Sequence, residues 1–171
     1  MIKEVEILNL FKLSKKILLI ITIFLLIGCS QNNNKENFNN LLTIDILDKY
    51  YLNDQYEENN IIYEYEYVST EDESMFLIQI FSHNNLDIIN NEEINENAFI
   101  DTLTNVSTME IDNEIFSIGY SSFDDVDDVV LRAIVRHNDY VFEFTMTNAD
   151  DFLTEEQKDD FITMIKTIKF K

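Results

Sequence analysis

The chain has 171 residues, with 12 Lys and Arg against 33 Asp and Glu, giving a formal charge of −21. Hydrophobic residues at 46% and aromatics at 12% suffice for a packed core, so global disorder is excluded, and the acidity opposes a nucleic-acid partner. Two glycines, no proline and one cysteine exclude Gly-rich phosphate cradles, multi-cysteine zinc sites and disulfide scaffolds.

Lys12, Lys15 and Lys16 precede an apolar run over residues 17–27 that ends at Gly28-Cys29, after which the chain turns polar. A basic region, a short apolar region and a small residue, in that order, mark a secretory signal peptide. The run of about eleven residues is short of the roughly 17–25 that a membrane-spanning helix needs. Leu26-Ile27-Gly28-Cys29 resembles the lipobox of bacterial lipoproteins. That resemblance implies a signal peptide over residues 1–28, cleavage before Cys29 and a diacylglyceryl group on its thiol. Two or three acyl chains hold a protein firmly, whereas one holds it only marginally. The expected location is therefore the extracytoplasmic face of a bacterial cell membrane, with the lipid on Cys29 as the anchor.

Residues 29–40 comprise the lipidated Cys29 and the stretch SQNNNKENFNN, which has almost no apolar side chain and reads as a flexible Asn-rich tether. Removing the leader leaves 31 acids and 8 bases, a charge near −23, which keeps the mature chain soluble and off an anionic surface except at its lipid.

Residues 41–171 show no repeat or second low-complexity break and read as one domain. Alternation of apolar and polar residues predicts strands over residues 42–47, 61–68, 75–81, 108–111 and 115–123. The first of these lies in a stretch, residues 38–51, that also reads as a helix. Short polar connections favour antiparallel pairing. Asn90 and Glu93 start a predicted helix over residues 92–105, with Ile94, Ala98, Phe99 and Leu103 as its apolar stripe. The clearest unit is a hairpin over residues 129–147 about Asn138-Asp139, a register that pairs His137 with Tyr140 and Ile134 with Glu143 and sets Glu143 diagonal to Arg132 and Arg136. Thr154 and Gln157 form a capping box for a helix to about Lys166, followed by a short strand over residues 167–170. One antiparallel sheet covered by helices is an α+β layered domain.

The closing run of hairpin LRAIVRHNDYVFEFTMT, polar NADDFLTEEQKDD, helix FITMIKT and strand IKFK resembles the C-terminal half of PsbP-like domains, with the preceding order of elements compatible. The resemblance implies a central antiparallel sheet flanked by helices, in exported proteins and lipoproteins that mostly serve as assembly or binding modules without catalysis. It carries over no functional residue.

Chemistry in the mature chain is sparse. His83 and His137 lack a local cysteine or an HExxH pattern and read as strand-end surface residues. Gly119-Tyr120-Ser121-Ser122 is no nucleophile elbow and falls within a predicted strand. Asp124, Asp125, Asp127 and Asp128 put four carboxylates in five residues; they make a candidate weak Ca²⁺ site but lack the DxDxDG pattern, so a solvated loop is the plainer reading. Tyr63, Tyr65 and Tyr67 alternate with Glu64 and Glu66. The default places the tyrosines in the core; the alternative is an aromatic row, extended by Tyr50, Tyr51 and Tyr56, that docks a protein or a polysaccharide. The sequence points to a non-catalytic module that binds an envelope or extracellular protein and needs no cofactor beyond the covalent lipid. A cation- or glycan-binding accessory role and an envelope hydrolase are the alternatives.

Overall fold

The computed structural model describes residues 33–58, 62–82, 96–123, 126–148 and 152–171. Ten strands dominate it. They are β1 (Asn33–Phe38), β2 (Leu42–Leu47), β3 (Tyr50–Glu58), β4 (Ile62–Ser69), β5 (Ser74–Ser82), β6 (Thr104–Ile111), β7 (Glu114–Phe123), β8 (Val126–His137), β9 (Tyr140–Asn148) and β10 (Lys169–Phe170). Among the described residues two helices accompany them, the single turn α1 (Glu96–Ile100) and the eleven-residue α2 (Glu155–Ile165). The strands form a three-stranded sheet, β1-β2-β10, and a seven-stranded sheet, β3-β4-β5-β9-β8-β7-β6, with every pair antiparallel.

One core joins both sheets. Phe76, Ile78 and Ile80 of β5 and Phe142, Phe144 and Met146 of β9 project from one face of the large sheet, as the period of two requires. They meet Leu42, Ile44 and Ile46 of β2 and Phe161, Met164 and Ile165 of α2. The opposite face carries a smaller cluster in which Ile134 and Val141 pack under Leu103 with Phe99 and Ile100.

This architecture corrects the expected helix-flanked, PsbP-like α+β sandwich. The domain is mostly β, and its large sheet is faced by a second small sheet and one substantial helix. Two local errors account for much of the difference. The Asn-rich stretch is not a free tether from Asn33 onward, because Asn33–Phe38 pairs with β2 in register, Phe38 opposite Leu42. The helix predicted over residues 92–105 is confined among the described residues to Glu96–Ile100, and Thr104 already opens β6. Of its apolar stripe, Phe99 and Leu103 do reach a core, but Leu103 does so from the link into a strand.

The hairpin β8–β9 has the expected register, with His137 opposite Tyr140 and Ile134 opposite Glu143. Arg132 Nε donates to Glu143 Oε1 at 2.5 Å, whereas Arg136 turns to the Asn138 carbonyl. Asn138 takes φ +53°, a turn conformation that Asn tolerates and that this chain, with one glycine beyond residue 28, must assign to Asn and Asp. The capping box of α2 is present as expected, with the Gln157 N–H donating to Thr154 Oγ1 and the Thr154 N–H to Gln157 Oε1.

A buried polar knot fixes α2 to the sheet edge. The Tyr50 hydroxyl lies 3.1 Å from Ser74 Oγ and donates to Asp160 Oδ2 at 3.3 Å, and Lys49 Nζ meets the same carboxylate oxygen at 2.6 Å. Burial is the main cause that pushes the Tyr50 phenol up to about 12, so the group stays a donor. Burial pulls the Lys49 ammonium down, but the hydrogen bond and charge of Asp160 more than reverse this, and its pKa ends raised.

Gly119 of β7 is required by close approach, not by its backbone angle. A Cβ there would lie 2.8 Å from the Thr104 carbonyl oxygen and 3.0 Å from Leu103 Cβ. Gly119→Ala is expected to cost about 1–3 kcal/mol by forcing β6 away from β7, measured as a lowered urea midpoint.

Asp112 holds the C-terminus. Its Oδ2 accepts the Phe170 N–H at 2.8 Å and its Oδ1 the Lys169 ammonium at 3.2 Å. The Phe170 hydrogen bond, then Lys169, holds its carboxyl below the usual value of 3.8. A lowered folded-state pKa contributes stability in full above the unfolded value and loses it as pH falls through the folded value. The urea midpoint should therefore drop below about pH 4, and Asp112→Asn should be less stable at pH 6 and flatter across that acid range.

Candidate functional site

The inner face of the β3–β4 edge carries a groove of about 280 Å³ lined by Asn39, Gln55, Tyr56, Glu57, Tyr63 and Tyr65. The ladder builds it. Gln55 stands opposite Tyr65 and Glu57 opposite Tyr63, and with side chains alternating along each strand these four share a face. The β1–β2 turn closes one side, where Asn39 and Asn40 take φ +49° and +58°. Phe38, buried just before that turn, packs edge-on against Tyr65 with ring centroids 4.7 Å apart. Its packing sets the ring of Tyr65 against the turn.

The three expected tyrosines divide. Tyr67 is core: it is 4% exposed, stands 6.3 Å from Phe38 and has its phenol pushed up by burial. Tyr63 and Tyr65 are half-buried, packed against the core and lining the groove. Burial foremost, then the Glu57 carboxylate, pushes both phenols up, so each stays neutral and able to donate at physiological pH. Asn39 hydrogen-bonds Tyr65 and works the other way. Upstream, Tyr50 lies in the polar knot, Tyr51 is exposed, and Tyr56, opposite Glu64 in the ladder, alternates to the other face although its position borders the groove. The row is thus a pair of rings, Tyr63 and Tyr65.

Glu64 and Glu66 project from the opposite face of β4, as expected. Gln79 donates to Glu64 at 2.6 Å, and Asn53 donates to Glu66 at the same distance. Farther along that face the Arg132–Glu143 pair is 14% and 7% exposed, and Arg132 also donates to Thr102 Oγ1 at 2.7 Å.

Cys29 and His83 lie outside the described residues, as do Asp124 and Asp125. Asp127 and Asp128 fall within β8 by backbone. Among the described residues, no group of three or more His, Cys, Asp or Glu is arranged to hold a metal ion. His137 pairs with Glu114 at 2.7 Å and stacks on Phe170 at 4.5 Å, so it serves the packing of β10.

Sequence reasoning missed Gln55, Glu57 and Asn39. All three sit on or beside strands it had not recognised. The density of Tyr50, Tyr51 and Tyr56 ahead of a tyrosine-bearing strand was the available signal for β3.

No family model matches the chain, and no curated protein matches it. A solved structure of a protein from Bacteroides thetaiotaomicron is similar over 82% of this chain and 49% of that one, at 13% identity and a TM-score of 0.49. The chain spans about half the length of that protein.

Proposed function

We propose that the chain is a lipoprotein of the extracytoplasmic face of a bacterial cell membrane, acylated on Cys29, whose β domain is a non-catalytic module that binds an envelope or extracellular protein. The anchor rests on the order of Lys12, Lys15 and Lys16, the apolar run and Leu26-Ile27-Gly28-Cys29. With β1 starting at Asn33, only residues 30–32 separate that cysteine from the sheet.

The observation that supports the binding role is the groove. Two half-buried tyrosines offer apolar area with a polar tip, and Gln55, Glu57 and Asn39 beside them offer hydrogen bonds, the mixture that interfaces favour. The same rings and amides would also suit a sugar, which makes a glycan the second reading.

A pull-down from native membranes tests the role, with the lipidated protein, Cys29→Ala, Tyr63→Ser/Tyr65→Ser and Gln55→Arg as parallel baits. A discrete protein should be held by the unaltered chain and lost with both groove variants. Gln55→Arg fills the groove from an exposed position and so guards against a tyrosine variant that misfolds. Equal capture by the unaltered chain and Gln55→Arg would count against the groove as the binding face.

A further inference from the structure

We propose that the groove of β3 and β4 receives a lysine or arginine side chain from a basic segment of the partner protein. This rests on the reading of the groove as the binding face and names the chemistry of what enters it.

Glu57 stands across the ladder from Tyr63, and its charge acts on the phenols of both Tyr63 and Tyr65. Among the described residues it has no ion-pair partner, and no Lys or Arg lines the groove. A surplus of acids makes one unpaired carboxylate ordinary. Glu57 differs in sharing its face with two neutral aromatic rings and two side-chain amides.

Each part matches a need of a cationic side chain. Ring faces attract an ammonium or guanidinium through their quadrupole, most strongly where water is partly excluded, as beside half-buried rings. A carboxylate adds a charge-assisted hydrogen bond, and the amide oxygens of Gln55 and Asn39 can accept the remaining N–H groups. The apolar stem of Lys or Arg would lie along the ring edges. Charge complementarity selects the same partner at longer range, since a chain of net charge −21 attracts basic segments and repels acidic ones. A neutral sugar could also donate a hydroxyl to Glu57, but carrying no charge it gains no long-range attraction and its binding would be little affected by salt.

The test is a fluorescence-anisotropy titration of the full chain, held in non-ionic micelles, with labelled octalysine. Labelled octaglutamine and labelled maltoheptaose are the comparison probes. Octalysine should bind, octaglutamine and maltoheptaose should not, and rising salt should weaken the complex. Glu57→Gln should lose about tenfold in affinity. Glu71→Gln removes one charge from the exposed β4–β5 turn and should change affinity by less than about twofold. Tyr63→Phe keeps the ring and should retain binding, whereas Tyr63→Leu should lose about fivefold. Equal losses for Glu57→Gln and Glu71→Gln would show attraction by bulk charge alone and overturn the proposal. Binding of maltoheptaose that is lost in the Tyr63→Leu variant would overturn it in favour of a glycan. A native partner captured through the groove while octalysine ignores Glu57 would refute the cationic class and leave the groove reading standing.

Discussion

Phe161→Ala is expected to destabilise the domain by about 3–5 kcal/mol, read as a fall in the urea midpoint at constant slope. Phe161 is fully buried at the centre of α2 and meets Phe76 of β5 edge-on, with centroids 6.0 Å apart. The helix docks through few residues: Phe161, Met164 and Ile165, with Gln157 buried at its capped end. Truncating the largest leaves a cavity between sheet and helix that Met164 and Ile165 can fill only by moving the helix axis. An isolated eleven-residue helix is marginal in water, so its order depends on this packing. Thr163→Ala, on the exposed side of the same helix, should change stability by no more than about 0.5 kcal/mol. A small loss for Phe161→Ala would mean that the two sheets hold together without the helix.

The second large effect lies on the other face of the sheet. Glu143→Ala is expected to cost about 3 kcal/mol, because it leaves the Arg132 guanidinium, 14% exposed, without its anion. Thr145 would also lose the carboxylate oxygen that its hydroxyl reaches at 3.3 Å. The pair as a whole contributes much less than this, since two charges were taken from water to make it. Arg132→Leu/Glu143→Leu should therefore recover most of the loss, and a double-mutant cycle by chemical denaturation measures the coupling directly. A double variant as unstable as Glu143→Ala would show that the pair contributes net stability.

The neighbourhood of Glu143, Arg132 and Arg136 was legible in the sequence because the β8–β9 hairpin alternates cleanly and its turn is unambiguous; that Arg132 takes the carboxylate while Arg136 turns to Asn138 was not. A central strand pair with one face wholly in the core and the other mixing apolar with charged residues writes its register into the sequence. The same holds for α2, whose capping box and apolar stripe are local features. The edges were not legible, for a physical reason. β1 buries Phe38 alone among its described side chains, and β3 leaves Tyr51, Leu52 and Tyr56 about half exposed. Such strands are held by backbone pairing with a neighbour, to which composition is nearly blind. The α1 segment misled in the opposite sense: Ala98, Phe99 and Leu103 fit a helical stripe, yet the chain leaves the helix after Ile100 and reaches the same cluster through the α1–β6 link.

The candidate site inherits that division. Tyr63 and Tyr65 lie on a strand that alternation identifies, and their pairing with Glu64 and Glu66 on opposite faces was readable. Their partners Gln55 and Glu57 belong to an edge strand, and Asn39 to a turn within what read as a tether. The groove exists only once β1 and β3 are in place. The fate of Tyr67 was likewise a tertiary matter, decided by Phe38 from β1.

The most direct test of the proposed role is site-specific photo-crosslinking in living cells, with a benzophenone amino acid at Gln55 in the groove, at Glu71 on the β4–β5 turn and at Lys166 beyond α2. The three positions sample separate parts of the surface, and each substituted protein can be checked for a normal thermal transition. The account predicts a discrete protein adduct from position 55 and none from positions 71 and 166. Adducts from position 71 or 166 with none from position 55 would contradict it, and would move the binding face away from the tyrosine groove.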